Sequence, residues 1–176
     1  MRRSLLRMTD DADDLRPGAV RSTFVEPEIY YAGLAAAYVT AGALITDPAG
    51  RVLLVKPNYR DHWLLPGGAA DDNEAPEAAC ARELEEEIGL ALDVGPLLVV
   101  AWQPARAERF RPTVSFVFDA GILAGPERIR LQEDELDDHG FFAPEQAAAR
   151  LGPIAARIPA ALHARETRTP VYLPHA

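Results

Sequence analysis

Acidic side chains crowd one short stretch of the chain. The sequence RELEEEIGL, residues 82–90, places four glutamates within five consecutive positions. At about 3.6 residues per helical turn, Glu83, Glu86 and Glu87 would share one face of a helix, with the fourth glutamate turned away. Like charges at such spacings oppose a helix by roughly 0.2–0.5 kcal/mol per pair. Because Arg82 is the one cation in the stretch, either solvent and salt disperse the repulsion or a positive ligand offsets it.

Three carboxylates on one helix face, after a Gly-Gly loop, suit a hard divalent cation such as Mg²⁺, which prefers oxygen ligands. Such an ion would relieve the repulsion and use the acids as ligand charge. The alternative is a solvated acidic face that binds no ion. The run of glutamates by itself leaves both interpretations open.

The helix that carries these acids is predicted from about Ala75 to Ile88. Asn73 and Pro76 are start signals, and Gly89 is a stop signal. An apolar stripe adjoins the acidic face in this pattern. The helix is therefore expected to pack one side on a core and to turn the acids towards another.

The rest of the chain alternates predicted strands with helices. The turn DPAG, residues 47–50, separates two β-rich runs and predicts a hairpin. The predicted strands are 37–46, 51–57, 92–102, 113–123, 139–142 and 171–174, and the further helices are 144–151 and 154–165. Because most strands come in hairpins with helices between them, the predicted fold class is α/β or α+β with a mixed, largely non-parallel sheet.

One domain accounts for most of the chain. A chain of 176 residues can bury about 70% of its unfolded surface, which is enough for a core. Residues 1–27 contain the acidic run DDADD and no sustained period, so they predict an N-terminal arm. Residues 28–176 are then expected to form a single domain.

Charge and composition argue against several classes of partner. The formal net charge of −9 disfavours nonspecific binding to nucleic acid or to an anionic membrane. No run approaches the ~20 apolar residues that span a bilayer. The single Cys80 cannot form an internal disulfide, which fits a cytoplasmic protein. A phosphorylated small molecule stays compatible if a metal or a basic patch offsets its charge.

The acidic helix is part of a longer pattern of fixed spacings. The segment GAADDNEAPEAACARELEEEIGL, residues 68–90, resembles the Nudix box of the Nudix hydrolase family, and every fixed position of the box is present. These positions are Gly68, Glu74, Arg82, Glu83, Leu84, Glu86, Glu87, Gly89 and Leu90. The preceding hairpin and the run WLLPGG agree with the family as well. The resemblance covers about residues 36–151.

The resemblance implies an αβα sandwich with a mixed sheet and a loop–helix–loop box. It implies hydrolysis of a diphosphate that joins a nucleoside to another moiety, X, with Mg²⁺ or Mn²⁺ as cofactor. By matching position, the metal ligands would be Glu83, Glu86, Glu87 and the carbonyl of Gly67. Family members are often dimers, so a homodimer is one option.

The resemblance also implies roles for residues around these ligands. Arg82 would orient one of the carboxylates through a charge-assisted hydrogen bond. Gly68 would let the loop approach closely, and Glu74 would stabilise the loop. Glu83 or Glu86 is expected to accept the proton from water as general base.

The family places its base variably, so acids after the box stay open as candidates. They are Glu108, Glu133 and Glu135, each of which could equally be an ordinary surface acid.

Substrate contacts are expected outside the box. The loop 103–112 is rich in arginine, and its Arg106 and Arg109 could bind phosphate while Phe110 stacks on a base. Lys56 and Tyr59, which precede the box, could also face the cleft. The alternative is a solvated hairpin connection with no substrate role.

Three functions compete on this pattern. The first is a metal-dependent pyrophosphohydrolase acting on a small nucleotide derivative, either an ADP-ribose-like compound or a nucleoside triphosphate. The second is a sensor that binds nucleotides without cleaving them, which loss of box acids would favour. The third is isoprenoid diphosphate isomerisation, which needs a cysteine in the cleft. All the box acids are present and Cys80 lies inside the helix, so the hydrolase is the leading hypothesis.

Overall fold

The structure, a computed structural model, describes residues 25–106 and 108–174. The chain divides into two compact units, Met1–Ala35 and Ala36–Ala176. The described part of the first unit holds one short helix, α1 (Pro27–Ala32). The predicted N-terminal arm, residues 1–27, falls almost wholly outside the described residues. It therefore stays a prediction, as does a single domain over residues 28–176.

Seven strands of the described residues form one sheet in the second unit. They are β1 (Tyr38–Thr46), β2 (Val52–Pro57), β3 (Gly67–Ala69), β4 (Leu97–Gln103), β5 (Thr113–Ile122), β6 (Leu136–Phe142) and β7 (Val171–Leu173). The strand order is β6-β2-β1-β5-β4-β7, and β3 pairs with β1. The pairs β1–β5 and β4–β7 are parallel, and the other pairs are antiparallel. The predicted mixed α/β fold class is confirmed.

Helices cover both faces of this sheet. Helix α2 (Pro76–Ile88) packs on one face, and α3 (Pro144–Arg150) and α4 (Arg157–Thr167) pack on the other. Strand β1 serves both cores because successive side chains point to opposite faces: Ala43 contributes to the α2 side and Leu44 to the other. No helix among the described residues is both long enough and apolar enough to cross a bilayer.

Two elements begin later than the sequence pattern predicts. Strand β4 begins at Leu97, although the N–H of the preceding Gly95 still donates to the carbonyl of Asp119 on β5 at 2.7 Å. Helix α4 begins at Arg157, because Gly152–Ile154 forms a separate 3₁₀ turn. The later start makes Arg157 the first residue of its helix.

Strand β3, here called the glycine strand, lies against both β1 and α2. Gly67 pairs with Gly42, and Gly68 pairs with Ala41. Gly67 has a φ of 136°, which L side chains rarely adopt, and a Cβ there would collide with the carbonyl oxygen of Ala41. A Cβ on Gly68 would collide with the carboxylate of Glu83. The absence of side chains at these two positions is what permits the close approach.

Replacing Gly67 by alanine is expected to destabilise the protein strongly. Gly67→Ala combines a strained φ with a backbone collision, and the strain alone costs about 1–3 kcal/mol. Gly50→Ala is the matched control, because Gly50 also has a positive φ (76°) but no atom lies within 4 Å of its added Cβ. Urea unfolding of the two variants should give a clearly larger loss of unfolding free energy for Gly67→Ala. Equal losses would contradict the collision.

Candidate active site

Helix α2 presents its acids because its apolar residues fix its rotation. Leu84 and Ile88 are fully buried on the sheet. Pro76 is well placed in the first turn, where its missing N–H costs nothing. Gly89 ends the helix in the left-handed conformation, with φ 68°, and its N–H donates to the carbonyl of Glu85.

Glu87 is the most enclosed of the three acids, with 6% of its surface exposed. Its Oε2 accepts a hydrogen bond from the N–H of Gly67 at 2.7 Å. The pKa of Glu87 is raised to about 7 in total: burial is the largest cause, the charges of Glu83 and Glu135 add to the rise, and the Gly67 hydrogen bond opposes it. The helix is thus joined to the glycine strand through a carboxylate that burial disfavours in its charged form.

Glu83 lies against Gly68 and is half-buried. Burial raises the pKa of Glu83, the Arg82 guanidinium opposes this, and the charges of Glu86 and Glu135 add to the rise. The acidic face is therefore an electrostatic cluster rather than a set of independent solvated side chains.

Arg82 is the cation that two of these acids share. Its Nη1 donates to Glu83 Oε1 at 3.0 Å and to Glu86 Oε2 at 2.9 Å. Its Nε and Nη2 donate to the two oxygens of Glu74 at 3.1 and 3.0 Å, and Nη2 also donates to the carbonyl of Ala69. These bonds raise the pKa of Arg82, Glu74 most of all. Arg82 therefore ties the loop before the helix to two of the acids.

Glu74 closes the other end of this network. The Arg82 hydrogen bond, and then the N–H of Asp71 at 2.8 Å, lower the pKa of Glu74. Glu74 thus holds both the loop backbone and the guanidinium, in keeping with a supporting rather than a chemical part.

The donor set fits a hard divalent cation. Glu83, Glu86 and Glu87 each use one oxygen in the bonds above, and within the described residues the second oxygen of each accepts no hydrogen bond. In the same part of the chain, no three acidic, histidine or cysteine side chains already converge as an ion cage. Arg82 holds two of the three acids, so a change in its bonding would accompany ion binding.

Glu135 is the acid after the box whose charge affects the box glutamates. It raises the pKa of both Glu83 and Glu87, and neither Glu108 nor Glu133 does so. The loop before β6 brings it there by capping the end of α2: the N–H of Arg130 donates to the backbone carbonyl of Ile88, and the N–H of Gln132 donates to the backbone carbonyl of Glu87. The sequence offered Glu135 as one of three candidates and carried no signal for this docking.

A pocket of about 590 Å³ adjoins the glycine strand. Of the residues predicted to contact substrate, Arg106, Arg109 and Tyr59 line it. Phe110 does not line it; it is 74% exposed, and its ring contacts Tyr38 edge-on.

Lys56 also lies outside the pocket lining. Its Nζ donates to the carbonyls of Pro57 and Arg60 and so closes the turn after β2. Arg157 also lines the pocket, although no motif in the sequence marked it as a substrate contact.

Cys80 is fully buried in α2. Burial and then the charge of Glu83 together raise the pKa of its thiol to about 12, so the thiol stays protonated and inert near neutral pH. A cleft cysteine of the kind that the isomerase alternative needs is therefore absent from the described residues, where Cys80 is enclosed.

Comparison with known proteins identifies the class. The family model of the NUDIX domain matches residues 37–162. The chain therefore belongs to the NUDIX family, and the resemblance predicted from the box is confirmed.

The individual relatives cover different shares of the chain. A MutT-like protein of Streptomyces ambofaciens is 26% identical over 118 residues, 67% of this chain and 71% of that protein. An RNA pyrophosphohydrolase of Ectopseudomonas mendocina (strain ymp) is 43% identical over 49 residues, 28% of this chain and 31% of that protein. The chain thus spans about a third of the length of the RNA pyrophosphohydrolases that it matches.

Solved structures share the fold. A MutT NUDIX hydrolase of Burkholderia pseudomallei is 34% identical, with a TM-score of 0.54, over 62% of this chain and 84% of that one. A UDP-X diphosphatase is 23% identical, with a TM-score of 0.64, over 86% of this chain and 76% of that one. The names of these relatives are those of hydrolases, the class that the sequence predicts.

Metal-free protein is expected to reveal the cost of the Glu87 charge. A folded-state pKa raised to about 7 from the usual 4.5 means that stability is fully present below pH about 4.5 and is lost as the pH rises through about 7. Glu87→Gln, whose amide oxygen can still accept the Gly67 N–H, should remove this loss. In EDTA, its unfolding free energy relative to wild type should rise by up to about 3 kcal/mol between pH 5 and pH 8. A difference that does not change with pH would contradict the shifted pKa.

Proposed function

We propose that the chain is a metal-dependent Nudix pyrophosphohydrolase. Its substrate would be a nucleoside diphosphate joined to another moiety, cleaved at the phosphoanhydride bond. The observation that carries this proposal is the arrangement of Glu83, Glu86 and Glu87, each with one oxygen left over, beside a pocket lined by arginines. A purely solvated acidic face would not require a carboxylate as enclosed as Glu87.

The carboxylates and the Gly67 carbonyl would hold Mg²⁺ or Mn²⁺, whose oxygen preference they match. A divalent cation bound there would neutralise charge on the diphosphate and stabilise the leaving phosphate. Arg82, anchored by Glu74, would keep Glu83 and Glu86 oriented while substrates enter and leave. The glycine strand would let the diphosphate approach these acids closely, because Gly67 and Gly68 have no side chains in the way.

Glu83 has the stronger case of the two predicted bases. Burial raises its pKa, which favours proton acceptance nearer neutral pH, whereas the Glu86 side chain is 53% exposed. Glu83 also lies against Gly68, which lines the pocket where the water and substrate would meet. We therefore assign the proton of the attacking water to Glu83, which would contact the cation through one oxygen only, and assign Glu86 and Glu87 to the cation alone.

The pocket supports a small nucleotide substrate. Its volume of about 590 Å³ is in the range of sites that enclose a small organic ligand. Arg106 and Arg109 supply cationic groups for phosphate, and Tyr59 supplies an aromatic ring at the wall. Among solved structures of this fold are a UDP-X diphosphatase and an ADP-ribose pyrophosphatase of Streptococcus suis, whose names agree with such a substrate.

Removing the proposed base should abolish turnover without unfolding the protein. Glu83→Gln is expected to lower kcat for a cleaved substrate such as ADP-ribose by about 10²–10⁴-fold, the usual contribution of general-base catalysis. Glu85→Gln is the matched control, since Glu85 lies on the same helix, is exposed and points away from the cluster. Formation of AMP and ribose 5-phosphate from ADP-ribose with Mg²⁺, with and without EDTA, measures the effect.

Two results would contradict the proposal. If wild type cleaves none of a panel of nucleoside diphosphate derivatives in Mg²⁺ or Mn²⁺ but binds them, the chain is a sensor rather than a hydrolase. If Glu83→Gln retains the turnover of Glu85→Gln, the base lies elsewhere.

A further inference from the structure

Four arginines line the pocket, and within the described residues none of them forms a salt bridge. Two of the four, Arg109 and Arg157, also have a buried Nε without a hydrogen-bond partner there. Arg157, at the start of α4, donates from Nη2 to Ser115 Oγ at 3.0 Å, which is the one hydrogen bond its guanidinium makes within that part of the chain. Its Nε is buried and has no hydrogen-bond partner there. An arginine carries five N–H donors, so most of this group's capacity is left over.

Arg109 is in a similar state. Its Nη1 and Nη2 donate to neutral acceptors, Gln103 Oε1 at 3.2 Å and the carbonyl of Pro104 at 2.9 Å, and its Nε is buried without a partner in the described residues. Thr113 Oγ1, in the same pocket, is also buried and unpartnered there. Several donors thus face one space without an anion to receive them.

The charges at this place are mutually unfavourable. Burial, and to a smaller extent the positive charge of Arg109, together lower the pKa of Arg157 to about 10. Arg157 also occupies the first turn of α4, where the helix dipole disfavours a cation. Burial, a like charge and the dipole all oppose the charged form, so an anion that binds here would relieve all three.

A second arginine of α4 shows how this fold satisfies such a side chain. Arg165 donates to both carboxylate oxygens of Asp119, at 2.9 and 2.6 Å. It also donates to Thr46 Oγ1 and to the carbonyl of Leu44. Arg165 is therefore fully engaged in holding α4 on the sheet, and Arg157 is not.

The register of the sheet places the arginine pair away from the acids. Thr40 on β1 pairs with Ala69 of the glycine strand on one side and with Ser115 on the other. Ser115, which binds Arg157, is thus two strand spacings from Ala69, roughly 10 Å at about 4.8 Å per spacing. Arg157, which donates to Ser115, is therefore separated from the glycine strand by β1 and lines a different part of the pocket.

We propose that Arg109 and Arg157 form an anion subsite that binds a second phosphate of the substrate, outside the diphosphate that is cleaved. The inference rests on the proposed function, because it assigns one end of the substrate to the glutamates. Two guanidinium forks and the Ser115 and Thr113 hydroxyls make a donor set suited to a phosphate. The extra phosphate lies either further along a polyphosphate chain or on a sugar hydroxyl.

Matched pairs of probes test the subsite by binding. ADP and ATP differ by a phosphate on the chain, and ADP-ribose and ADP-ribose 2′-phosphate differ by one on the sugar. Calorimetry would use the full chain with Mg²⁺ in a Glu83→Gln background, so that the probes survive. In at least one pair, the extra phosphate should tighten binding about tenfold or more. Arg157→Gln should remove this gain and leave the affinity for the shorter probe unchanged.

The control variant is Arg128→Gln, which makes the same change in net charge at an exposed site outside the pocket lining and should keep the gain. No gain in either pair, or a gain that survives both Arg157→Gln and Arg109→Gln, would overturn the subsite. Hydrolysis by wild type is measured separately. If the extra phosphate tightens binding but wild type hydrolyses no probe, the proposed enzyme activity is contradicted and the subsite is supported. If wild type hydrolyses the probes but the extra phosphate does not tighten binding, the enzyme activity is supported and the subsite is contradicted.

Thermal unfolding gives a second readout that needs no nucleotide. Arg157→Met removes an uncompensated charge and should leave the Tm unchanged or higher, while Arg165→Met should lower it. Millimolar inorganic phosphate should raise the Tm of wild type more than that of Arg157→Met. If Arg157→Met is as unstable as Arg165→Met, or if phosphate stabilises both proteins equally, Arg157 is a structural residue and the proposal fails.

Discussion

The hydrogen bond from the Gly67 N–H to the Glu87 carboxylate, 2.7 Å long, sets the geometry of the whole site. It requires a backbone that approaches a helix more closely than any side chain would allow, and both Gly67 and Gly68 meet that requirement. The same contact encloses Glu87 and brings Glu83 against the strand. The positions of the acids, the glycine strand and the pocket therefore depend on one another through this contact.

This construction carries an electrostatic cost that the chain offsets locally. Burial and mutual repulsion work against the charged forms of Glu83 and Glu87. Arg82 balances part of that charge, and Glu74 keeps Arg82 in place from the loop side. A helix selected for stability alone would not collect like charges on its enclosed face. On the proposed function, the pattern that looked anomalous in the sequence is the cost of preparing a site for a cation.

Local signals in the sequence predicted the box helix, the first hairpin and the strands that follow, because capping residues, turns and alternation act over a few positions. The family was predicted from the box, and the fold class from the pattern of strands and helices around it. The role of Arg157 in the pocket could not be predicted from the sequence. Arg157 contacts Ser115 across 42 positions of sequence, and only the packing of α4 on the sheet brings the two residues together. The position of Glu135 near the acids was equally hidden, since it depends on backbone bonds between a loop and the end of α2.

Helix α4 has two different roles. Its C-terminal end is bound to β5 through Arg165 and Asp119, and its N-terminal end places Arg157 in the pocket lining. The residues proposed for chemistry lie close together in sequence, on β3 and α2, whereas the wall that would recognise the rest of the substrate comes from distant segments. Mutations in those segments can retune ligand preference while the reaction machinery stays intact. On the proposed function, such a separation would let the substrate preference change while the chemistry of cleavage stays the same.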